Sequence, residues 1–490
     1  MAETLEDIVI QCTSNGLTVS LSPYSSSSVN VWWLPNSAGA AKNVGMNRLN
    51  DNNPADHIFF TIPLSPDPYR DNGLKCNNRY TYTLSLLDSH GHTIPGCGPS
   101  SCTVTVLACS TNSSTYMALL VDDITPPDTE LQTANGNSVP QGRAGSYAWL
   151  VPQKTMIFLF THAKGSISKE AWNLAHKLEL LPNYAVQDTS LSIIQSSLTR
   201  LEAIARITPL KDGGNDLLVA YEFDQKLTWT GPLVVRANNG PIDHVTGSQA
   251  LIESDRDFFE LLVPRGALID HYVHNIETIM DGDWALVARL PLPAGGTNAP
   301  AVSLAQGSSG VLVAIASVTA QSEGSDFLVG YQLDQKEWLG PVKLIADDGP
   351  ILGVTGSQDI IVNNEGDIEL LVPRGAFIYH YRHAGETILE GNWKSIARLS
   401  QPKGNDKAQP ISVSLTQNVL GLLELVARVR PPAGTGGDFF VGYEYSQQTG
   451  WSTPSVLASD HGPITAGDSS TPPDDDDKDG KDNGRKTKKG

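Results

Sequence analysis

The chain has 490 residues, of which 44 are glycine and 31 are proline, so it is too long for one ordinary core and too rich in turn formers for a helical protein. Its formal net charge of −19 argues against nucleic-acid and anionic-membrane partners, because both require a basic surface. No segment reaches the roughly 18 continuous apolar residues of a membrane span. The N-terminal residues carry acids instead of the basic and apolar regions of a secretory signal. We therefore expect no membrane insertion, and a protein that is cytoplasmic or secreted without a conventional signal peptide.

The cysteines are confined to the first quarter of the chain. They number five, an odd count, and no CxxC pair occurs, so we expect no zinc or other metal site. We expect free thiols, with one disulfide in the N-terminal domain as the alternative. The positions are Cys12, Cys76, Cys97, Cys102 and Cys109.

Residues 1–115 contain short runs of alternating polar and apolar residues, such as LTVSLSP and RYTYTLSLLD, with turn formers between them. This pattern is typical of a β-sandwich in which one face of each sheet is wet. The stretch from Arg79 to Leu107 resembles the last two strands of a fibronectin type III module, which implies a spacer or docking unit. Residues 116–138 follow as a predicted linker with one candidate strand at Tyr116–Val121.

The next part of the chain repeats itself in register. Residues 239–291 return, edited, at 348–400. A register that is kept over a whole unit indicates a repeat architecture. Four matched pairs are each 109 residues apart: Thr246 and Thr355, Arg265 and Arg374, His271 and His380, and Trp284 and Trp393.

Tryptophans extend the repeat to six units of two alternating kinds. The steps between them are 57, 55, 54, 55 and 58 residues, and each step holds several short strand-like runs. A four-stranded sheet at this period predicts a β-propeller, whose blades bury both faces by stacking around a ring. The predicted fold is thus all-β, with an N-terminal β-sandwich and a six-bladed propeller at 139–467. We expect residues 462–468 to close the ring. A seventh blade built from residues 116–138 is the alternative. Residues 468–490 are predicted to form a disordered charged tail.

Several motifs recur together in these units. They are the run ELLVPRGA after residues 259 and 368, the HY pairs at 271 and 380, the VTGS turns at 245 and 354, and the tryptophan of each unit. The combination resembles the repeats of the PLL-type propeller lectins, which bind fucose and related sugars between blades. The resemblance spans residues 139–467. It implies a multivalent carbohydrate-binding lectin whose partners are glycans or glycoproteins.

These residue types suit a sugar pocket. An indole offers a flat apolar platform to the CH face of a pyranose, and an arginine fork spans neighbouring hydroxyls, while histidines and turn amides complete the contacts. Packing between blades would explain the tryptophans too, salt bridges would explain the arginines equally well, and the tyrosines would fit a core. We expect the grooves around Trp284 and Trp393 to be the first sites. The full candidate set is Trp172, Trp229, Trp284, Trp338, Trp393, Trp451, Arg265, Arg374, His271, His380, Tyr272 and Tyr381.

Recognisable catalytic motifs are absent from the sequence. It contains no SxDxGxTW box, no GxSxG, no HExxH and no phosphate loop. We therefore predict that the protein is not an enzyme and has no catalytic residue and no cofactor. A protein-interaction scaffold is the alternative function, and a glycosidase with two facing carboxylates ranks third. A homo-oligomer stays open.

Overall fold

The computed structural model of the chain describes its regular elements from residue 6 to residue 466. The predicted tail at 468–490, most of the linker at 116–138 and every cysteine except Cys102 lie outside the described residues. None of the described residues forms a helix with the length and hydropathy that a membrane span requires. The described ranges are 6–11, 16–25, 28–33, 43–50, 57–63, 69–72, 79–88, 100–105, 117–120 and 146–466, the last with gaps at 163–166, 168–170, 197–199, 212–213, 224–228, 238–239, 255–257, 276–277, 308, 322–324, 335, 364, 386, 418–421, 433–435 and 460–461.

The N-terminal part contains two antiparallel four-stranded sheets. Val44, Met46, Tyr82 and Leu84 are buried at alternate positions of two paired strands, as the alternating sequence predicts. A sandwich of the two sheets and the fibronectin type III resemblance stay predictions. In sheet order, the strands are Glu6–Gln11, Gly16–Ser25, Ser28–Trp33 and Tyr69–Asn72, and then His57–Pro63, Asn43–Asn50, Arg79–Leu87 and Ser100–Thr105.

Most of the remaining strands form six antiparallel sheets with four consecutive strands each along the main path, and this confirms the predicted six-bladed propeller arrangement. The first strands of successive sheets contact one another around the ring, so they are the innermost strands. We number the blades 1 to 6 along the chain. Blades 1 to 3 are Met117–Leu120, Ser146–Gln153, Met156–His162 and Asn173–Glu179; Tyr184–Gln195, Leu201–Pro209, Leu217–Phe223 and Trp229–Val234; and Ala250–Ser254, Phe258–Arg265, Leu268–Asn275 and Ala285–Pro291.

Blades 4 to 6 repeat the pattern, and a two-stranded ribbon follows each even-numbered blade. The blades are Gly296–Gln306, Leu312–Ala320, Phe327–Asp334 and Glu337–Lys343; Asp359–Val362, Ile368–Arg374, Phe377–His383 and Lys394–Leu399; and Gln409–Gln417, Leu423–Arg430, Asp438–Ser446 and Gly450–Trp451. Ser455–Val456 and Thr465–Ala466 add to blade 6. The ribbons pair Arg236–Ala237 with Gly240–Pro241, Ile345–Ala346 with Gly349–Pro350, and Ala458–Ser459 with Gly462–Pro463.

The ring closes differently from the expectation. The innermost strand of blade 1 is Met117–Leu120, which lies in the predicted linker, so the boundary at 139 leaves it out. Thr465–Ala466 pairs with the third strand of blade 6 instead of supplying a strand to blade 1. Two hydrogen bonds join blade 1 to the segments that follow blade 6. Trp172 N donates to Ala458 O at 2.9 Å, and Gln153 Nε2 donates to Thr465 O at 3.0 Å.

The propeller core lies between the blades. Strands such as Phe258–Arg265 are buried on both faces, because each sheet covers one neighbour with one face and the other neighbour with the opposite face. Leu262 packs towards blade 4, for example, whereas Phe259 packs towards blade 2. Consecutive residues of one strand therefore belong to different grooves, which decides where each candidate side chain is found.

Candidate functional site

The tryptophans of the odd-numbered blades lie inside the protein. Trp172, Trp284 and Trp393 are 0%, 1% and 1% exposed, and each indole packs on a histidine with ring centroids 5.0 to 5.2 Å apart. Their backbone N–H groups donate at 2.8 to 2.9 Å to carbonyls in the ribbon of the preceding blade. The expectation that Trp284 and Trp393 are the first sugar platforms is therefore corrected, because a buried indole offers no free face. These residues join adjacent blades.

The other candidates divide between two faces of each odd-numbered blade. His271 and Tyr272 are consecutive in one strand, so their side chains point to opposite sides. His271 contacts blade 4, whereas Tyr272 packs in the core shared with blade 2. Arg265 also faces blade 2, where it contacts Asp243. The arginine, histidine and tyrosine that were expected to share one pocket thus line two grooves.

A buried relay fixes a tryptophan in the groove between blades 3 and 4. Trp338 Nε1 donates to His271 Nδ1 at 3.1 Å, and His271 Nε2 lies 2.6 Å from Glu260 Oε2. An indole N–H can only donate, so His271 Nδ1 is the acceptor, and the ring carries its proton on Nε2 for donation to Glu260. His271 and Glu260 are buried, whereas Trp338 is half-buried. The relay holds a partly exposed indole in one orientation.

The same relay recurs between blades 5 and 6. Trp451 Nε1 donates to His380 Nδ1 at 3.2 Å, and His380 Nε2 lies 2.6 Å from Glu369 Oε2. Glu369 Oε1 also accepts from Asn363 Nδ2 and Arg382 Nη2, both at 2.8 Å. The indole meets the imidazole nearly edge-on, at 84° here and at 87° in the groove between blades 3 and 4. We call these two spaces the tryptophan grooves.

The groove between blades 1 and 2 lacks this relay. Leu159 and Ala148 occupy the positions of His271 and Glu260. Trp229 Nε1 is buried with no hydrogen-bond partner among the described residues. The joint loss of histidine and glutamate has a physical reason, because either one alone would be a buried polar group without its partner.

On the opposite face of blade 3, carboxylates neutralise Arg265. Its Nη2 lies 3.1 Å from Asp243 Oδ1, and its Nη1 lies 3.2 Å from Asp270 Oδ2. Tyr272 OH also donates to Asp270, at 3.2 Å, and Arg289 Nε reaches the second oxygen of this carboxylate at 3.3 Å. The salt-bridge interpretation therefore describes Arg265, and the groove between blades 2 and 3 is a satisfied ionic network.

Arg374, the equivalent residue in blade 5, has different neighbours. Its Nη1 donates to Tyr381 OH at 2.5 Å, and its guanidinium carbon lies 4.5 Å from the centroid of the Tyr379 ring. Tyr379 occupies the position of Asp270, and Leu352 occupies that of Asp243. Both acids of the other groove are thus replaced, while the arginine is kept.

The predicted tyrosines are neutral at physiological pH. Burial raises the pKa of Tyr272 to about 12. Burial also raises the pKa of Tyr381, although the charge of Arg374 acts in the opposite direction. Both hydroxyls are therefore hydrogen-bonding groups, and neither is an ionised nucleophile.

The VTGS turns connect neighbouring blades. Ser248 N donates to Pro300 O at 2.8 Å, and Val302 N donates back to Ser248 O at 3.1 Å. Gly247 precedes this contact, and a Cβ at its position would collide with the Ala299 carbonyl. The turn amides that were expected to bind sugar hydroxyls are therefore used by the innermost strand of the next blade.

A pair of facing carboxylates does exist, in blade 2, and the sequence did not mark it. Glu202 and Glu222 are directly opposite each other on adjacent strands. Burial, followed by the charge of Glu222, raises the pKa of Glu202 well above its ordinary value. Arg200 Nη1 lies 3.4 Å from Glu222 and opposes this effect. Glu202 is fully buried, whereas Glu222 is half-buried.

Comparisons with known proteins identify neighbours in structure only. No family model and no curated protein matches the sequence. The GH93 α-L-arabinofuranosidase of Fusarium graminearum aligns with a TM-score of 0.45 and 11% identity over 69% of this chain and 94% of its own. The α-L-arabinanase of Penicillium chrysogenum aligns at 0.39 and 12%, over 66% and 92%. AofleA from Arthrobotrys oligospora aligns at 0.41 and 11%, over 74% and 92%.

These neighbours require one correction. The prediction that the chain is not an enzyme is contradicted, because glycoside hydrolases are among the similar structures. The absence of recognisable motifs therefore does not exclude catalysis on this propeller. At such TM-scores and identities, the neighbours assign neither a substrate nor a site residue to this chain.

Proposed function

We propose that the protein is a carbohydrate-binding lectin with sugar sites in the two tryptophan grooves, at Trp338 and Trp451. The observation that carries the proposal is the relay: in each groove, a half-buried indole is fixed by its N–H on a buried imidazole of the adjacent blade. A pyranose stacks on an indole face. A ring that is already held in place loses little conformational freedom when a sugar binds.

The sugar class follows from the resemblance to PLL-type lectins, which implies neutral monosaccharides of the fucose type. One shallow site of this kind binds with a Kd of about 1 mM, which corresponds to a binding free energy of about −4 kcal/mol. Two equivalent sites on one ring would gain avidity on a surface that is dense in the same sugar. The expected partners are thus clustered glycans on glycoproteins or cell surfaces.

A glycan array followed by calorimetric titration tests the proposal. Trp338→Leu and Trp451→Leu each keep apolar volume but remove the flat ring, so each should abolish one site, and the double variant should abolish binding. Trp229→Leu is the matched control, because Trp229 stands in the groove without a relay. Hydrolysis of the glycosidic bonds in the same sugars is measured as well, so that enzymatic turnover is distinguished from binding.

Two results would contradict the lectin proposal. One is an array on which the wild-type protein binds no glycan. The other is unchanged glycan binding by a folded double variant, which would contradict the placement of the sugar sites at Trp338 and Trp451.

A further inference from the structure

Two arginines on one face of blade 5 lack the carboxylate that their equivalents share in blade 3. Asp270 is paired with both Arg265, at 3.2 Å, and Arg289, at 3.3 Å. Arg374 and Arg398 hold the equivalent positions in blade 5, and neither makes an ion pair with a described residue. Two exchanges remove the acids in blade 5: Tyr379 stands at the position of Asp270, and Leu352 stands at that of Asp243.

Aromatic rings replace the lost carboxylate. The Arg374 guanidinium carbon lies 4.5 Å from the Tyr379 ring centroid, and that of Arg398 lies 4.4 Å from the Phe377 ring centroid. In the strand register, Arg374 is opposite Phe377, and Tyr379 is opposite Arg398. Cross-strand partners share a face, so all four side chains lie on the side of blade 5 that faces blade 4. We call this cluster the arginine platform.

The arginine platform has unused binding capacity. A guanidinium over an aromatic ring is attracted by the ring face, and this contact leaves N–H groups in the guanidinium plane for an acceptor, although Arg374 Nη1 already donates to Tyr381 OH. Arg374, Tyr379 and Phe377 are half-buried and Arg398 is exposed, so solvent and small ligands can reach them. In blade 3 the equivalent N–H groups are already used by Asp243 and Asp270.

We propose that the arginine platform binds a carboxylated sugar, a hexuronate residue, in the groove between blades 4 and 5. The planar carboxylate of the sugar would take the place that Asp270 occupies in blade 3, because guanidinium forks match carboxylates in a bidentate geometry. The phenol hydroxyl of Tyr379 would hydrogen-bond a ring hydroxyl of the sugar. This inference rests on the proposed lectin function and adds a ligand class that the tryptophan grooves do not distinguish.

One acid opposes the ligand. Asp348 is exposed in the turn of the ribbon between blades 4 and 5, and its charge contributes to the raised pKa of Tyr381. It makes no ion pair with Arg374 or Arg398. Removal of this charge should therefore strengthen the binding of an anionic sugar. The binding of a neutral sugar should not change.

The test uses two ligands that differ only in the carboxylate, methyl glucuronide and methyl glucoside, titrated into the full-length protein by NMR. Wild-type protein should prefer the glucuronide, and added salt should weaken this preference.

Arg374→Gln should lower glucuronide affinity by roughly tenfold or more, since hydrogen bonds to charged groups are the strong ones. Tyr379→Asp, which restores the carboxylate of Asp270 at this position, should do the same. Asp348→Asn should raise the affinity about twofold.

Arg289→Gln is the matched control, because Arg289 is the exposed blade 3 equivalent of Arg398 and already has a carboxylate partner; glucuronide affinity should stay unchanged. Equal affinity for both glycosides overturns the inference. Competition by acetate or sulfate as strong as that by the glucuronide also overturns it, because the site would then bind any anion. Neutral sugars that still bind at Trp338 and Trp451 leave the lectin proposal standing, whereas binding of no glycan at all removes both.

Discussion

Trp338 Nε1 donates to His271 Nδ1 across the boundary between blades 3 and 4, at 3.1 Å. This bond ends a chain that begins at the buried carboxylate of Glu260. It ties the orientation of a surface-reaching ring to groups that solvent does not touch. The stability of the relay and the geometry of the groove are therefore linked, and each can be tested on its own.

The relay should behave as a unit in unfolding experiments. His271→Leu leaves Glu260 buried without its main donor, so we expect a loss of about 3 kcal/mol. Glu260→Ala combined with His271→Leu reproduces the residues of blade 1, namely Ala148 and Leu159, and should recover part of that loss. Denaturant unfolding of these two variants and of Glu260→Ala alone measures the coupling. A double variant whose loss equals the sum of the two single losses would contradict a coupled pair.

Glu202 should make the protein less stable as the pH rises. Its ordinary pKa is 4.5, and in the folded protein burial and then Glu222 hold it well above that value. Below pH 4.5 the carboxyl is protonated in both states. As the pH rises, it ionises first in the unfolded state, which lowers the free energy of that state and so reduces the stability of the folded protein. Glu202→Gln cannot ionise, so it should melt at a higher temperature than wild type at pH 7–8, and the difference should shrink towards pH 4. A constant offset at every pH would count against this interpretation.

The two kinds of tryptophan should respond differently to truncation. Trp393 is buried between blades, so Trp393→Ala should cost about 3–5 kcal/mol through the cavity it leaves. Trp451 is half-buried, and Trp451→Leu should cost less than about 2 kcal/mol while it removes a sugar site. Thermal melting of both variants separates the two roles. Equal destabilisation would mean that Trp451 is also a packing residue.

The glycine of the second VTGS turn should be required for ring packing. A Cβ on Gly356 would collide with the Ile411 carbonyl on the first strand of blade 6. Gly356→Ala should therefore cost about 1–3 kcal/mol as the blades shift apart. Ser357→Ala is the control, because its backbone bond to Ile411 O at 3.0 Å is kept. A Gly356→Ala protein with the melting temperature of wild type would contradict this, because the turn and Ile411 would then move apart without a cost in stability.

Much of the fold could be predicted because the tryptophan spacing reports the blade period directly, and six blades of two kinds follow from it. Ring closure could not be predicted, because Met117–Leu120 carries no repeat motif and is far in sequence from the strand it pairs with. A hydrogen-bonded Glu260 could be predicted as well, since a carboxylate within an apolar strand needs a partner, and His271 is that partner.

The site was harder to predict, although one error was avoidable. His271 and Tyr272 are adjacent, and strand alternation already places them in different grooves. The difference in exposure between Trp284 and Trp338 could not be predicted, because the sequence shows only that both are the tryptophan of their unit. The exchange of Asp270 for Tyr379 is visible in the sequence. Its consequence needs the register that brings Arg398 to the same place.

The central claim is that a sugar stacks on the indoles of Trp338 and Trp451. The most direct measurement follows indole N–H resonances of the nine tryptophans during titration with the neutral glycoside that binds best, with assignments from Trp338→Phe and Trp451→Phe. We predict that these two resonances shift saturably, with the affinity found by calorimetry, while those of the buried Trp284 and Trp393 stay in place. Sugar binding that leaves both resonances unmoved would contradict the claim.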